Sequence, residues 1–162
     1  MKVWRYGDDV NTDLLFPGKY TYTCNKPDEI LPHLLEDLDP EFRGKVQAGD
    51  VIIAGKNFGC GSSRAQPVVG LKTVNLRAVI AKSFARIFYR AAINQGLLLV
   101  ACPKAVESYK DGDEVSVEPR EGKVTVGGRS FSFPPLPAEI VAICEAGGLL
   151  EYTKRMLEAE RV

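Results

Sequence analysis

Three short apolar runs, separated by segments with helical spacing, constrain the fold of this chain most strongly. Residues 51–54, 78–81 and 97–101 are wholly apolar and have the length of a strand, which is typical of strands buried on both faces. The chain from residue 62 to 71 and from 83 to 94 spaces its apolar residues as helices do. This alternation predicts an α/β protein.

The second half of the chain changes character. Residues 114–118, 123–126 and 129–133 are rich in β-forming residues and are joined by glycine-containing turns, which predicts antiparallel hairpins added to the α/β core. Two helices, residues 138–146 and 149–156, are expected on either side of Gly147-Gly148.

The first half offers weaker signals. Residues 2–6 favour a short strand, and residues 7–18 favour a loop because turn-forming residues dominate them. Helical spacing predicts a helix over residues 27–38, although Pro32 is uncomfortable within it. A chain of 162 residues fits one domain, expected to span residues 1–162.

Composition excludes several classes of function. The chain has 21 basic and 21 acidic side chains, so we expect no general attraction to nucleic acid or to an acidic membrane surface. No apolar stretch reaches the length of about 20 residues that a membrane helix needs. The first residues lack the apolar segment of a secretory signal, and we therefore expect a cytoplasmic protein.

Cysteine and histidine do not form a recognisable metal motif. Cys24, Cys60, Cys102 and Cys144 lie far apart in sequence, with no CxxC pair, so we predict no metal site and no disulfide framework in this chain. His33 is the sole histidine and lies on an amphipathic segment, where a structural role is expected.

The glycine-rich segment GKNFGCGSSR, residues 55–64, carries the strongest chemical signal. It follows a buried strand and precedes a helix that we expect to begin at Ser62. Backbone N–H groups at a helix start attract anions, and the planar fork of Arg64 suits a carboxylate or a phosphate. A phosphate loop and a dinucleotide fingerprint both fail on spacing. Ser62 or Ser63 could also serve only as a helix cap.

A second segment, residues 7–13, holds Asp8, Asp9 and Asp13 within a short loop. Taken alone, it is typical of a solvated turn in which acidic and asparagine side chains cap the backbone. Its chemistry gains meaning only in combination with the glycine-rich segment.

Together, the two segments identify a resemblance. The stretches GDDVNTDLLFPGKY, GKNFGCGSSR, SFARIFYRAAINQG and GGLLEYTKR resemble the swivelling C-terminal domain of the aconitase superfamily. They are most similar to its free-standing form, the small subunits of isopropylmalate dehydratase and homoaconitase. The resemblance covers essentially the whole chain and implies a three-layer β/β/α fold.

The resemblance also implies a reaction, the reversible dehydration and rehydration of a small 2-hydroxy dicarboxylate. The family implies a larger partner subunit, which holds a [4Fe-4S] cluster through three cysteines. In this chain it implies that Ser62 is the catalytic base, that Ser63 and Arg64 bind the substrate carboxylate, and that Asp13 is a catalytic acid that organises the site. Cys60 lies close to these residues, but the resemblance does not make it a cluster ligand.

Substrate identity is expected to depend on Tyr20, Thr21, Tyr22 and Thr23, since this loop reads the substrate's side group in the family. No arginine occurs between Arg5 and Arg43, whereas homoaconitase-type loops tend to carry one for a third carboxylate. An alkyl group is therefore expected, which favours isopropylmalate and leucine biosynthesis.

Two alternatives remain open. A related hydro-lyase could act on homoaconitate, dimethylmalate or citraconate, and the chain could be a non-catalytic anion-binding module. Two departures from the family pattern bear on the branch. Ala65-Gln66-Pro67 stands where an acidic residue and a histidine commonly follow the arginine, and Ala91 stands where asparagine is common.

Overall fold

A four-stranded parallel sheet forms the centre of the molecule, in a computed structural model that describes residues 1–160. Its strands β1 (Val3–Arg5), β2 (Val51–Ala54), β3 (Ala78–Ala81) and β4 (Leu99–Ala101) lie side by side in chain order. The predicted buried strands are confirmed, although β4 begins at Leu99 rather than at residue 97. Since all strands are parallel, their carboxyl ends meet at one edge.

Helices cover one face of this sheet. They include α4 (Gln66–Thr73) and α5 (Arg86–Asn94), with the one-turn helices α1 (Thr12–Leu15), α2 (Pro27–Ile30) and α3 (Phe42–Lys45). Ile52 and Val79 of the sheet share a buried cluster with Leu71 of α4 and Phe88 of α5. Side chains alternate between the two faces along a strand, so every second residue of β2 and β3 points toward these helices.

A second sheet covers the other face. After α6 (Pro103–Ser108), the strands β5 (Val115–Glu118), β6 (Lys123–Val126) and β7 (Arg129–Ser132) form an antiparallel meander. Ile53 and Ile80 of the central sheet pack in one cluster with Val117, Val124 and Val126. The predicted three-layer β/β/α fold is therefore confirmed, and the hairpins form the third layer.

The last described part of the chain is a helical hairpin made of α7 (Ala138–Ala146) and α8 (Leu149–Glu160). Gly147 ends α7 with a positive φ of 95°, a conformation that glycine adopts without strain. The prediction placed this turn correctly but ended the last helix at residue 156.

The helix predicted over residues 27–38 is wrong in its extent. Helix α2 ends at Ile30, and residues 31–33 form a single 3-10 turn that contains Pro32. Proline has no N–H to continue the helical bonding. Further on, Leu35 adopts a φ of +57° and donates its N–H to the carbonyl of Leu15 at 2.9 Å, so a tertiary contact replaces the helix.

The helix expected to begin at Ser62 begins instead at Gln66. The N–H of Ser62 donates to the side chain of Thr12 rather than pointing along a helix axis. Residues 7–18, expected to be loop, contain the helical turn α1. Asn11 caps it by accepting a hydrogen bond from the N–H of Leu14 at 2.9 Å, as expected of asparagine in such a loop.

A buried carboxylate ties the start of β1 to the start of β2. Asp50 is 1% exposed and accepts hydrogen bonds from the N–H groups of Lys2 and Gln47 and from the indole of Trp4. Burial alone would raise the pKa of Asp50, but these bonds outweigh it and hold the pKa below its usual value. The ionised form therefore stabilises the fold.

Within residues 1–160, no helix has the length and apolar character needed to cross a membrane.

Candidate active site

Two loops lie side by side at the carboxyl ends of β1 and β2. Residues 7–13 and 55–64 are joined by backbone hydrogen bonds: Gly55 N to Gly7 O at 2.9 Å, Asp9 N to Lys56 O at 2.8 Å and Thr12 N to Cys60 O at 2.8 Å. This pairing brings together the two segments that the sequence analysis singled out, although they lie about 50 residues apart. The edge where strand carboxyl ends meet is a common place for ligands in α/β proteins.

The glycine-rich loop is pinned against helix α5. Gly59 has a φ of +80°, and a Cβ added there would lie 2.1 Å from Cγ of Phe88. Its N–H donates to the carbonyl of Val10 at 2.8 Å. Neighbouring Phe58 is fully buried and donates its N–H to Ser83 O at 3.0 Å. Close packing of backbone on an aromatic ring thus fixes the position of the residues that follow.

Ser62 lies exposed at the end of this loop, with two partners beside its hydroxyl. Nε of Arg64 donates to Ser62 Oγ at 2.7 Å, and Thr12 Oγ1 lies 3.0 Å from the same oxygen. The N–H of Ser62 also donates to Thr12 Oγ1 at 2.9 Å. Because α4 begins only at Gln66, side chains rather than a helix N-terminus supply the donors to this serine.

Arg64 connects the predicted site residues. Besides Ser62, its guanidinium donates to Thr21 Oγ1 at 2.8 Å and to a carboxylate oxygen of Asp13. The Arg64 side chain is only 16% exposed, whereas that of Asp13 is 71% exposed. Within residues 1–160, these contacts leave two of the five guanidinium N–H groups for a further acceptor.

The four residues predicted to read the substrate's side group differ in exposure and in contacts; they are Tyr20, Thr21, Tyr22 and Thr23. Thr21 contacts Arg64, while Tyr22 is 93% exposed and Thr23 is exposed. Gln66 anchors the loop from the start of α4, since its side-chain amide donates to the carbonyls of Thr21 at 3.1 Å and Cys24 at 3.4 Å.

Tyr20 anchors the same loop from the other side. Its ring stacks on that of His33, with centroids 3.7 Å apart. Glu36 contacts Nδ1 of His33 at 2.8 Å and Nζ of Lys19 at 3.0 Å. Burial would raise the pKa of Glu36, but the contacts with His33 and Lys19 outweigh it and lower that pKa. This arrangement agrees with the structural role expected for His33.

Ser63 and Cys60 flank the serine. Ser63 is exposed beside Ser62, and Cys60 is half-buried where its carbonyl meets Thr12. Among residues 1–160, no three histidine, cysteine, aspartate or glutamate side chains are grouped closely enough to hold a metal ion. The donors found among the described residues therefore do not fit an iron–sulfur cluster.

The arrangement suits one chemical task. A half-buried guanidinium with unused N–H groups can bind a carboxylate, and it holds a hydroxyl at its edge that faces solvent. A hydroxyl with two hydrogen-bond partners can exchange a proton with a bound molecule more readily than an isolated one, because its anion would be stabilised.

Sequence reasoning missed two residues of this site. Thr12 lies within the segment of residues 7–13, next to the predicted site residue Asp13. Gln66 was noted only as a departure from the family pattern, whereas the structure makes it an anchor of the loop. The signal for Thr12 was its position in the stretch, but only the tertiary structure shows that it contacts Ser62.

Comparison with known proteins defines the class. The family model of the aconitase C-terminal domain matches residues 10–105, more than half of the chain. The chain therefore belongs to the aconitase C-terminal domain family, as the sequence motifs indicated.

Relatives within the family narrow the comparison. The chain is 48% identical to 3-isopropylmalate dehydratase small subunit 1 of Methanopyrus kandleri, over 95% of this chain and 91% of that one. It is 42% identical to the 3-isopropylmalate dehydratase small subunit of Thermodesulfovibrio yellowstonii, over 99% and 96%. A crystal structure of 3-isopropylmalate dehydratase from Methanocaldococcus jannaschii matches with a TM-score of 0.87 and 38% identity, over 99% of this chain and 97% of that one.

Proposed function

We propose that this chain is the small subunit of a heteromeric hydro-lyase that interconverts 2-isopropylmalate and 3-isopropylmalate by dehydration and rehydration, within leucine biosynthesis. The observation that carries the proposal is the Ser62 hydroxyl held by Arg64 at 2.7 Å, in a chain similar to such small subunits over nearly its whole length. The cytoplasmic location expected from the sequence stays a prediction.

Ser62 acts as the base that takes a proton from the carbon beside the departing hydroxyl. A free alcohol titrates at least roughly six pH units above neutrality, so ionising it would cost on the order of 8 kcal/mol. The charged donor at Arg64 Nε lowers that cost, and closure of the site by a partner would exclude water and strengthen the interaction. Ser62 is therefore anionic only transiently.

Arg64 and Ser63 bind the substrate carboxylate next to this base. Two N–H groups of Arg64 are left for a further acceptor among the described residues, and the neighbouring Ser63 is exposed. Asp13, which accepts a hydrogen bond from Arg64, sets the orientation of the guanidinium. The same ion pair neutralises part of the positive charge of Arg64 before substrate binds.

The loop of Tyr20, Thr21, Tyr22 and Thr23 reads the group that distinguishes one substrate from another. Thr21 connects this loop directly to Arg64, so a substrate held by its carboxylate would present its side group to the loop. The exposed ring of Tyr22 offers apolar surface without positive charge. This supports an alkyl-bearing substrate over one with a third carboxylate.

Catalysis requires a partner in this proposal. A large subunit would complete the site and hold a [4Fe-4S] cluster, which supplies a Lewis acid for the departing hydroxyl. This chain contributes the base, the carboxylate clamp and the specificity loop, which lie on one exposed edge of the fold and are open to a covering subunit.

The test is turnover after mixing this chain with its anaerobically reconstituted large subunit. Isopropylmalate, homoaconitate, citraconate and dimethylmalate are compared as substrates. We expect turnover of isopropylmalate alone. Preference for another acid would retain the mechanism and correct the substrate, while a stable complex with an intact cluster and no turnover would favour a binding module.

A serine variant tests the assignment of the base. Replacing a general base lowers turnover by about 10²- to 10⁴-fold, so Ser62→Ala should lose nearly all activity while it still assembles with the large subunit. Ser116→Ala, at an exposed position of β5, is the matched control and should keep full activity. Retained turnover in Ser62→Ala would show that another group takes the proton.

A further inference from the structure

Thr12 is a buried polar residue at the centre of the candidate site. It is 2% exposed, and its backbone N–H donates to Cys60 O at 2.8 Å. Its hydroxyl lies against Ser62 alone among the hydrogen-bonding groups of residues 1–160, at 2.9 Å from the N–H and 3.0 Å from Oγ. The buried Thr12 hydroxyl contacts both the backbone N–H and the Oγ of Ser62. It can therefore influence both the position and the ionisation of Ser62.

The directions of the hydrogens limit what this contact can do. Thr12 Oγ1 already accepts the N–H of Ser62, and Ser62 Oγ already accepts from Nε of Arg64. One hydrogen remains to bridge the two hydroxyls, from either residue. Once Ser62 has lost its proton, only Thr12 can supply that hydrogen, because an alkoxide has acceptor sites only.

We propose that Thr12 is a positioning residue that fixes the backbone of Ser62 and donates a hydrogen bond to Ser62 Oγ in its deprotonated form. The inference rests on the proposed function, in which Ser62 is the base. Thr12 and Arg64 then form a two-donor cradle for the serine oxyanion, one donor neutral and one charged. Hydrogen bonds to a charged oxygen are stronger than those to a neutral one, so the contact with Thr12 tightens when Ser62 ionises.

The proton balance closes over the isomerisation. Ser62 first releases its hydroxyl proton to solvent. The C–H bond beside the departing hydroxyl then breaks and its proton goes to Ser62 Oγ, while its electron pair forms the C=C bond as the C–O bond breaks and the hydroxyl leaves as hydroxide. During rehydration, hydroxide adds to one carbon of this double bond and Ser62 returns the proton to the other, which regenerates the ionised serine. Thr12 neither gains nor loses a proton over the cycle; its hydrogen points to Ser62 Oγ while that oxygen is charged.

Two pairs of variants isolate the hydroxyl. The threonine of the original chain and the valine of Thr12→Val have nearly the same shape, but only threonine has a hydroxyl. The smaller side chains of Thr12→Ser and Thr12→Ala likewise differ by one hydroxyl. Loss of a hydrogen bond to a charged group corresponds to a fall of about 10- to 100-fold. We expect that fall in kcat for Thr12→Val and Thr12→Ala, with KM nearly unchanged and with Thr12→Ser close to the original chain.

The pH profile separates this role from a purely structural one. The charged groups beside Ser62 are Arg64 and, through it, Asp13, and both are retained in every variant. Without the donor, ionisation of Ser62 requires a higher pH, so the acidic limb of kcat/KM should move to higher pH in Thr12→Val. Thr73→Val, at an exposed site where the hydroxyl bonds Val69 O, is the matched control.

Each outcome decides the proposal. Activity and pH profile unchanged in a folded, assembled Thr12→Val would overturn it, provided that Ser62→Ala is inactive. If Ser62→Ala is itself active, the proposed function fails first and the inference falls with it. Should Thr12→Val not fold, the Ser and Ala variants give the same comparison, and equal kcat in those two would overturn the role of the hydroxyl.

Discussion

The contact between Gly59 and Phe88 provides a quantitative test of how the glycine-rich loop, residues 55–64, is held in place. In Gly59→Ala, the new Cβ would lie 2.1 Å from Cγ of Phe88 and within 2.6 Å of two further atoms of that side chain. Phe88 is 4% exposed and belongs to the main core, so its ring cannot swing into solvent. Either the ring or the loop must move.

Two terms contribute to the expected loss of stability. Gly59 has a φ of +80°, and a left-handed conformation costs an L-residue about 1–2 kcal/mol. Forcing an extra carbon into a packed core costs about 1–3 kcal/mol. The free energy of unfolding should therefore fall by about 2–5 kcal/mol, and the melting temperature by about 5–15 °C for a chain of this length.

Gly128→Ala separates the two terms. Gly128 has a φ of +77°, close to that of Gly59, but a Cβ there meets no atom within 4 Å. Its melting temperature should fall by about 3–6 °C, the conformational term alone. The assay is thermal unfolding of the isolated chain, with urea unfolding as a second measure.

A second-site variant sharpens the test. Phe88→Ala should itself destabilise the chain, yet adding Gly59→Ala to it should cost less than adding Gly59→Ala to the original chain, because Cγ and Cδ1, the two atoms closest to the new Cβ, are gone. Equal losses in Gly59→Ala and Gly128→Ala would refute the reasoning, since the loop would then not be pinned on Phe88.

Three further predictions concern other parts of the fold. Asp50→Asn should lower the free energy of unfolding by about 2–4 kcal/mol at pH 7, because the NH2 group of asparagine would face N–H donors that the Asp50 carboxylate accepts. Since the pKa of Asp50 is lowered in the folded state, urea unfolding at different pH values should show this difference shrinking as the pH falls below about 4. Gln66→Leu should speed hydrogen exchange at Thr21 and Cys24 and raise KM by about threefold to tenfold with little change in kcat, since the loop loses its anchor; unchanged exchange would exclude that anchor. Burial raises the pKa of the Cys144 thiol to about 11, so iodoacetamide at pH 8 should label it about a hundredfold more slowly than glutathione, as followed by mass spectrometry; labelling at the glutathione rate would contradict its burial.

Local patterns determined much of the fold. The runs that became β2 and β3 were placed correctly because they are apolar on both faces and bounded by turn residues. The meander of β5, β6 and β7 followed from alternation and from glycine turns. Helix α7 and its glycine stop were placed to the residue. In each case the signal lies within a few residues of the element itself.

Elements whose boundaries depend on distant partners were misplaced. The apolar residues in 27–38 have helical spacing, yet Leu35 adopts a positive φ and donates its backbone N–H to the carbonyl of Leu15. Helix α4 begins at Gln66 rather than Ser62, and the residues expected in its first turn instead contact distant side chains: Ser62 contacts Thr12, and Arg64 contacts Thr21 and Asp13. Spacing along the chain holds no information about such competing partners.

The sequence by itself determined the layered α/β class, the family and the two segments of the candidate site, because apolar periodicity and short motifs are local properties. The tertiary structure alone decided which atoms of those segments meet. Thr12 and Ser62 are 50 positions apart in the chain, yet their hydroxyls lie 3.0 Å apart. That contact exists because parallel strands bring their carboxyl ends to one edge and because the loops beyond them pair by backbone hydrogen bonds.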